Sequence, residues 1–157
     1  APAPPSRYED IHFEDSVIAQ FDKETFRYVK DPYKNELLID VWIKTFPETT
    51  RVAYSLNHYL FQLSDRKMMA LELIDFNSSG RILNTRANKY DPERWSPIIP
   101  ETLAEKWYEA IYKYAQQNDK QLKAAYKKQR KDPDEKSPNI LLAPFTHIFN
   151  LLSNNRS

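Results

Sequence analysis

A single glycine, Gly80, serves the whole chain of 157 residues. It falls between two apolar runs, Lys67 to Phe76 and Arg81 to Arg86. Asn77-Ser78-Ser79-Gly80 therefore reads as a hairpin turn in which Gly80 takes positive φ, which glycine does without steric cost. Every other turn must come from Pro, Asn, Asp and Ser, and the eleven prolines supply breakers. The scarcity also removes function classes. With no Gly-rich loop, the P-loop and dinucleotide-binding fingerprints are absent.

The stretch Lys67 to Trp107 organises the rest. After the hairpin comes a Pro- and Asp-rich crossing, Asn88 to Pro100, and then a helix start. Upstream, Ser16–Phe21 and Thr25–Lys30 read as short strands around an Asp-Lys-Glu turn. Asp31-Pro32-Tyr33-Lys34-Asn35 is a loop with a clear breaker. Leu37 to Phe46 is the best strand, because Ile39, Val41 and Ile43 alternate with Asp40, Trp42 and Lys44, the period of a half-buried strand. In Val52–Leu63, Tyr54, Leu56, His58 and Leu60 share one face, and Ser55, Asn57, Tyr59 and Phe61 share the other. Strands joined by short turns predict an antiparallel meander of roughly five or six strands.

Thr102 with Glu105 three residues later is a capping box. Leu103, Trp107, Ala110, Ile111 and Tyr114 then recur at helical spacing and predict the face laid on the sheet. The pattern thins at Asn118-Asp119 and resumes through Leu122, Ala125 and Tyr126, as a continuation or as a second helix. Leu141, Leu142, Phe145, Ile148, Phe149 and Leu152 line one side of a short terminal helix. The expected fold is thus α+β: a meandering sheet packed by a long helix starting near Thr102, with a short C-terminal helix. Its expected organisation is a flexible leader at 1–15, with Tyr8 to Asp15 irregular, and one domain at 16–132. A charged linker at 133–138 and an amphipathic helix at 139–157, packed on the domain, follow.

Composition narrows the partners. Hydrophobic residues make up 41% and net charge is +1, so the chain folds, and nucleic-acid binding is not expected. No apolar run is long enough to cross a bilayer. Without cysteine, disulfides and Cys-based zinc sites are excluded. The opening Ala-Pro-Ala-Pro-Pro-Ser is of the kind found after a removed secretory signal or as a lipoprotein tether. It sets the expectation of export to a bacterial periplasm, outer envelope or cell surface, with a candidate lipid anchor upstream of Ala1.

Candidate chemistry is sparse. His12, His58 and His147 lack ligand spacing such as HExxH, so no metal or cofactor is expected. Glu72 and Asp75, three apart in a strand, point to opposite faces and cannot share a substrate. No acid–base or nucleophile set converges, and no enzymatic activity is expected. Tyr28, Trp42, His58 and Tyr59 form a candidate partner surface, as mixed aromatic and polar sheet faces do when left uncovered. Lys123, Lys127, Lys128, Arg130 and Lys131, together with Lys120, form a candidate polyanion patch.

Tyr28-Val29-Lys30-Asp31, Leu38 to Lys44, and Trp95-Ser96-Pro97-Ile98-Ile99-Pro100-Glu101-Thr102 leading into a helix resemble the surface-adhesin E-like family of exported bacterial proteins. The resemblance covers roughly Thr25 to Tyr114. It implies a small lipoprotein or secreted domain, an antiparallel sheet packed by a C-terminal helix, and adhesion to host matrix or serum proteins. It carries no catalytic residue. The cysteines that family members often bear in the hairpin and near the helix end are missing here.

The leading expectation is a non-enzymatic exported domain that binds a protein or other macromolecule. A small-ligand binding or enzymatic domain, with a pocket between helix and sheet near Trp42, His58 and Trp107, is the second. A self-associating envelope subunit, joined through the terminal helix, is the third.

Overall fold

The computed structural model describes residues 6–131 (backbone alone at Lys131), and the statements below concern those residues. The linker at 133–138, the terminal apolar segment at 139–157 and His147 lie outside them. The fold is α+β. Eight strands, β1 (Tyr8–Phe13), β2 (Ser16–Asp22), β3 (Arg27–Lys30), β4 (Leu37–Thr45), β5 (Tyr54–Gln62), β6 (Lys67–Phe76), β7 (Ile82–Ala87) and β8 (Ser96–Pro97), form one antiparallel sheet, followed by helices α1 (Leu103–Gln117) and α2 (Asp119–Lys131). The strand path runs β1-β2-β4-β5-β6-β7, with β3 also paired to β4 and β8 to β6.

The meander is as expected, but eight strands replace five or six. The two extra ones are β1 and β8. Residues 8–15, expected to be irregular, include β1, whose one buried residue is Ile11 and whose Glu9, Asp10 and His12 are exposed. A charged edge strand of this kind resists pairing with other chains, and its charge is what hides it in the sequence. β8 is a two-residue return from the crossing, where Ser96 pairs with Met68 and Pro97 with Lys67.

β2 and β3 act as one interrupted strand. Both run antiparallel to β4, with Phe21 opposite Ile43 and Arg27 opposite Asp40. The residues between loop out around Asp22, 3% exposed. Its carboxylate accepts from Arg7 Nε and Nη2 at 2.9 and 2.8 Å, from Glu24 N at 3.0 Å and from Thr25 Oγ1 at 2.8 Å. The detour drops Phe26 into the core beside Phe21 and Tyr114. Gly80 closes the β6–β7 hairpin at φ 82°, with its N–H on Asn77 O at 3.0 Å.

The helices cover one face of the sheet, where Ile39, Val41, Ile43 and Phe61 meet Tyr108, Ile111, Ala115 and Leu122. Thr102 caps α1 through Glu105 N, and the Glu105 carboxylate reaches back to the Glu101 amide at 3.2 Å, one residue earlier than the standard capping box places it. The helical face is rotated from the expected one, since Leu103 is 55% exposed while Tyr108 and Ala115 are buried. At Asn118 the α1 ladder ends, with the Asn118 backbone and side-chain amides both on Tyr114 O at 3.0 and 2.9 Å, and α2 starts as a separate helix.

The other face is buried too. The sheet curls, and Tyr90 and Trp95 from the crossing close over Val29, Leu38, Leu60, Met69 and Leu71. β4 is therefore buried on both sides, from Leu38 to Ile43, rather than half-buried. Ile111→Ala should cost about 2–5 kcal/mol by loss of apolar contact and cavity formation, whereas Leu103→Ala should stay within about 0.5 kcal/mol. Urea unfolding of the two variants checks this.

Candidate functional site

On the curled face β4, β5 and β6 bring three ionisable side chains together. His58 is 0% exposed, Asp40 1% and Glu72 2%. Trp42 lies opposite His58, and His58 opposite Glu72, so Asp40 meets the imidazole on a diagonal. His58 Nε2 is 2.6 Å from Asp40 Oδ1, and Nδ1 is 3.2 Å from Glu72 Oε1. β3 adds a fourth charge, the Arg27 guanidinium, on Asp40 Oδ2 at 3.0 and 3.3 Å. The Trp42 ring stacks on the imidazole, with centroids 4.7 Å apart and planes 10° apart. The register shift in the β5–β6 pair between His58 and Tyr59 packs Leu71 against Leu60 and Met69 while Glu72 still faces His58.

Burial alone would lower the His58 pKa. The charge and hydrogen bond of Asp40, with those of Glu72, outweigh it and raise the imidazole to about 9. His58 is thus an imidazolium at neutral pH that donates from both nitrogens. Glu72 is pushed upward, chiefly by burial and against the pull of His58. Its Oε2 has no hydrogen-bond partner among the described residues. A general base must come within hydrogen-bond reach of the proton it takes. Here both ring nitrogens face carboxylates inside the core, so neither is placed to take a proton from a substrate.

The residues expected to form an aromatic partner surface do not lie on one. Tyr28, Trp42 and His58 are 7%, 4% and 0% exposed. Tyr28 is covered by α2, its hydroxyl donating to Asp119 Oδ1 at 2.7 Å, and burial with that bond raises its pKa. Tyr59, half-buried, sits on the helix face edge-on to Trp107, with centroids 5.6 Å apart. Nor do Trp42, His58 and Trp107 line one pocket. Val41 belongs to the helix-covered core and Trp42 to the opposite one, because successive strand side chains point to opposite faces. Glu72 and Asp75 do diverge as expected, Glu72 to His58 and Asp75 to Ser55.

Lys123, Lys127, Lys128 and Arg130 lie on the exposed side of α2, and Lys131 is its last residue. Lys123 pairs with Asp119 at 3.0 Å, and the Arg130 guanidinium is 5.9 Å from the Tyr126 ring centroid. Among the described residues, no group of three or more His, Asp or Glu is placed to hold a metal ion.

An open groove of about 510 Å³ lies between β1 and α1, lined by Glu9, Asp10, Ile11 and His12 on one side and by Lys106, Glu109, Lys113 and Gln117 on the other. At one end Lys106 Nζ stands 5.8 Å from the ring centroid of Phe13, which is 42% exposed. Leu103 lies one turn back along α1, and Ile99 just before it; both are exposed. Sequence reasoning missed this groove because it reads β1 as irregular. No family model, curated protein or solved structure matches the chain.

The His58 pKa is raised in the folded chain, so the folded state binds more protons than the unfolded one between pH 6.5 and about 9. The stability this supplies is complete below pH 6.5 and lost as pH rises through about 9. Glu72, also raised, acts in the same direction from pH 4.5 upward. Stability should therefore fall by about 3 kcal/mol between pH 6.5 and 9, and Asp40→Asn should cost about 3–5 kcal/mol at pH 7. Urea unfolding across that pH range checks both; a parent protein with flat stability would place the neutral imidazole in the core.

Proposed function

We propose that the chain is a non-enzymatic domain exported to a bacterial envelope or cell surface, where it binds a protein or other macromolecule in an adhesin-like role. One observation carries the reading: the groove between β1 and α1, with exposed Phe13 beside its lining residue Lys106 and exposed Leu103 one turn back along α1. β1 ends the sheet among the described residues and pairs with β2 alone. The groove beside it can take an extended segment of a partner, with the exposed apolar side chains giving affinity. The acid–base groups, by contrast, are held inside the core as a network that braces the sheet. The similarity of Thr25 to Tyr114 to surface-adhesin E-like proteins supports export and adhesion.

Two measurements test the proposal. Native cells should show the protein in the envelope fraction. Purified protein should bind a matrix, serum or envelope component by surface plasmon resonance, and Phe13→Asp with Leu103→Asp should weaken that binding about tenfold or more. Neither side chain is buried, so both variants should keep parental stability. Purified protein that bound none of these components would overturn the reading.

A further inference from the structure

A second, smaller site lies on the opposite end of the sheet from β1. Asn57 and Tyr59 of β5, Arg86 of β7, and Asn88 and Arg94 of the crossing line a pocket of about 230 Å³ floored by β6. No residue of either helix lines it. It is independent of the β1–α1 groove.

The two arginines mark its chemistry. Arg7, Arg27 and Arg66 each hold a carboxylate. Arg86 and Arg94 hold none, and neither guanidinium has a hydrogen-bond partner among the described residues. Arg86 is fixed by register, opposite Leu73 in the β6–β7 pair. Arg94 closes a 3-10 turn, Pro92–Arg94, capped by Asp91. That turn is anchored on both sides. Asn88 N–H donates to Leu71 O at 2.8 Å, and the hydroxyl of buried Tyr90 donates to Asp31 Oδ2 at 3.0 Å while accepting from Trp95 Nε1 at 3.3 Å. Both arginine backbones are thus set before any ligand arrives, which lowers the ordering cost of binding.

The remaining polar groups agree. The Asn57 amide nitrogen is engaged by Ile43 O and Thr45 Oγ1, both at 3.0 Å. The donors left for a ligand are the two guanidinium forks and the Asn88 amide. Glu72 is the acidic lining residue; its Oε1 is turned to His58, and its unpartnered Oε2 is buried away from solvent. A site rich in donors, with two planar cationic forks, matches the oxygens of an anion. Its volume is below the usual range for drug-sized ligands, about 300–1,000 Å³, so it fits one small anionic group and not a nucleotide.

We propose that this pocket binds a small oxyanion, a phosphate, sulfate or carboxylate group, through Arg86 and Arg94. The test is a two-dimensional NMR titration of the full chain with sodium phosphate and, separately, with sodium acetate, each against sodium chloride at matched ionic strength. Saturable shifts at the amides of Asn57, Asn88 and Arg94 are expected. Saturation by phosphate alone assigns a tetrahedral oxyanion, and saturation by acetate as well assigns a carboxylate-accepting site. Arg86→Gln and Arg94→Gln should each weaken binding about tenfold, the worth of one charge-assisted hydrogen bond. Lys123→Gln with Lys127→Gln on α2 should leave it unchanged. Arg86 is exposed and neither guanidinium supports another described group, so the substitutions spare the core. The proposal is overturned if neither salt gives a saturable shift, if the arginine variants bind as the parent does, or if the lysine pair weakens binding as much.

Discussion

The Asp40 carboxylate joins more of this fold than any other single group. It sits in the middle of β4, 1% exposed, and its two oxygens face different strands, Oδ1 the imidazole of β5 and Oδ2 the guanidinium of β3. A buried carboxylate is costly unless paired and hydrogen-bonded, so these contacts are conditions for β4 being central at all. They also set register. A one-residue slip of β5 along β4 would carry His58 to the helix-covered face and leave Asp40 facing apolar side chains. An apolar core would tolerate that slip with modest loss, and the ion network does not. Its cost is in stability, because well-packed hydrophobic groups of the same volume often do as well or better. What the charges add is a single arrangement of β3, β4 and β5.

Two further aspartates do comparable work at the turns. Asp22 gathers Arg7, Glu24 and Thr25 where β2 gives way to β3. Asp31 accepts from the amides of Tyr33 and Lys34 at 2.8 and 3.2 Å and from the Tyr90 hydroxyl, tying the β3–β4 loop to the crossing. With one glycine in the chain, Glu14, Arg66 and Glu101 take the other positive-φ positions among the described residues, and at the Asp22 and Asp31 loops side-chain carboxylates substitute for tight turns in satisfying the amides. That substitution explains how a sheet with many irregular connections holds its shape.

The sequence showed each central strand through its alternation, and it showed Gly80, the Thr102 cap and the pause at Asn118 through their local chemistry. What it concealed follows from one fact, that both faces of the sheet are covered. Alternation in β4 distinguishes Ile39, Val41 and Ile43 from Asp40 and Trp42, but it cannot tell a polar face in water from a polar face paired inside a curl. The partner surface proposed around Trp42 and His58 rested on the first interpretation. A histidine flanked in space by Asp40 and Glu72 is separated from them by 18 and 14 residues, and register alone brings them together. β1 was hidden for the opposite reason: its one buried side chain is Ile11, and a single apolar residue makes no period. Leu103 misled because helical spacing gives a face without fixing its rotation to within one residue.

The same constraint bears on where binding can occur. Once the helices have covered one face and the curl has closed the other, the central residues of β4 offer no side chain to a partner, while the two ends of the strand path stay open. At the β1 end, exposed apolar groups beside the groove suit an extended macromolecular segment. At the β7 end, two uncompensated guanidinium groups on braced backbone suit a small anion. A fold that braces Arg94 through Tyr90 and Asp31 presents its guanidinium to a ligand at low ordering cost. The scaffold is therefore closed in its middle and chemically distinct at its edges, and the two proposed binding sites lie at those edges.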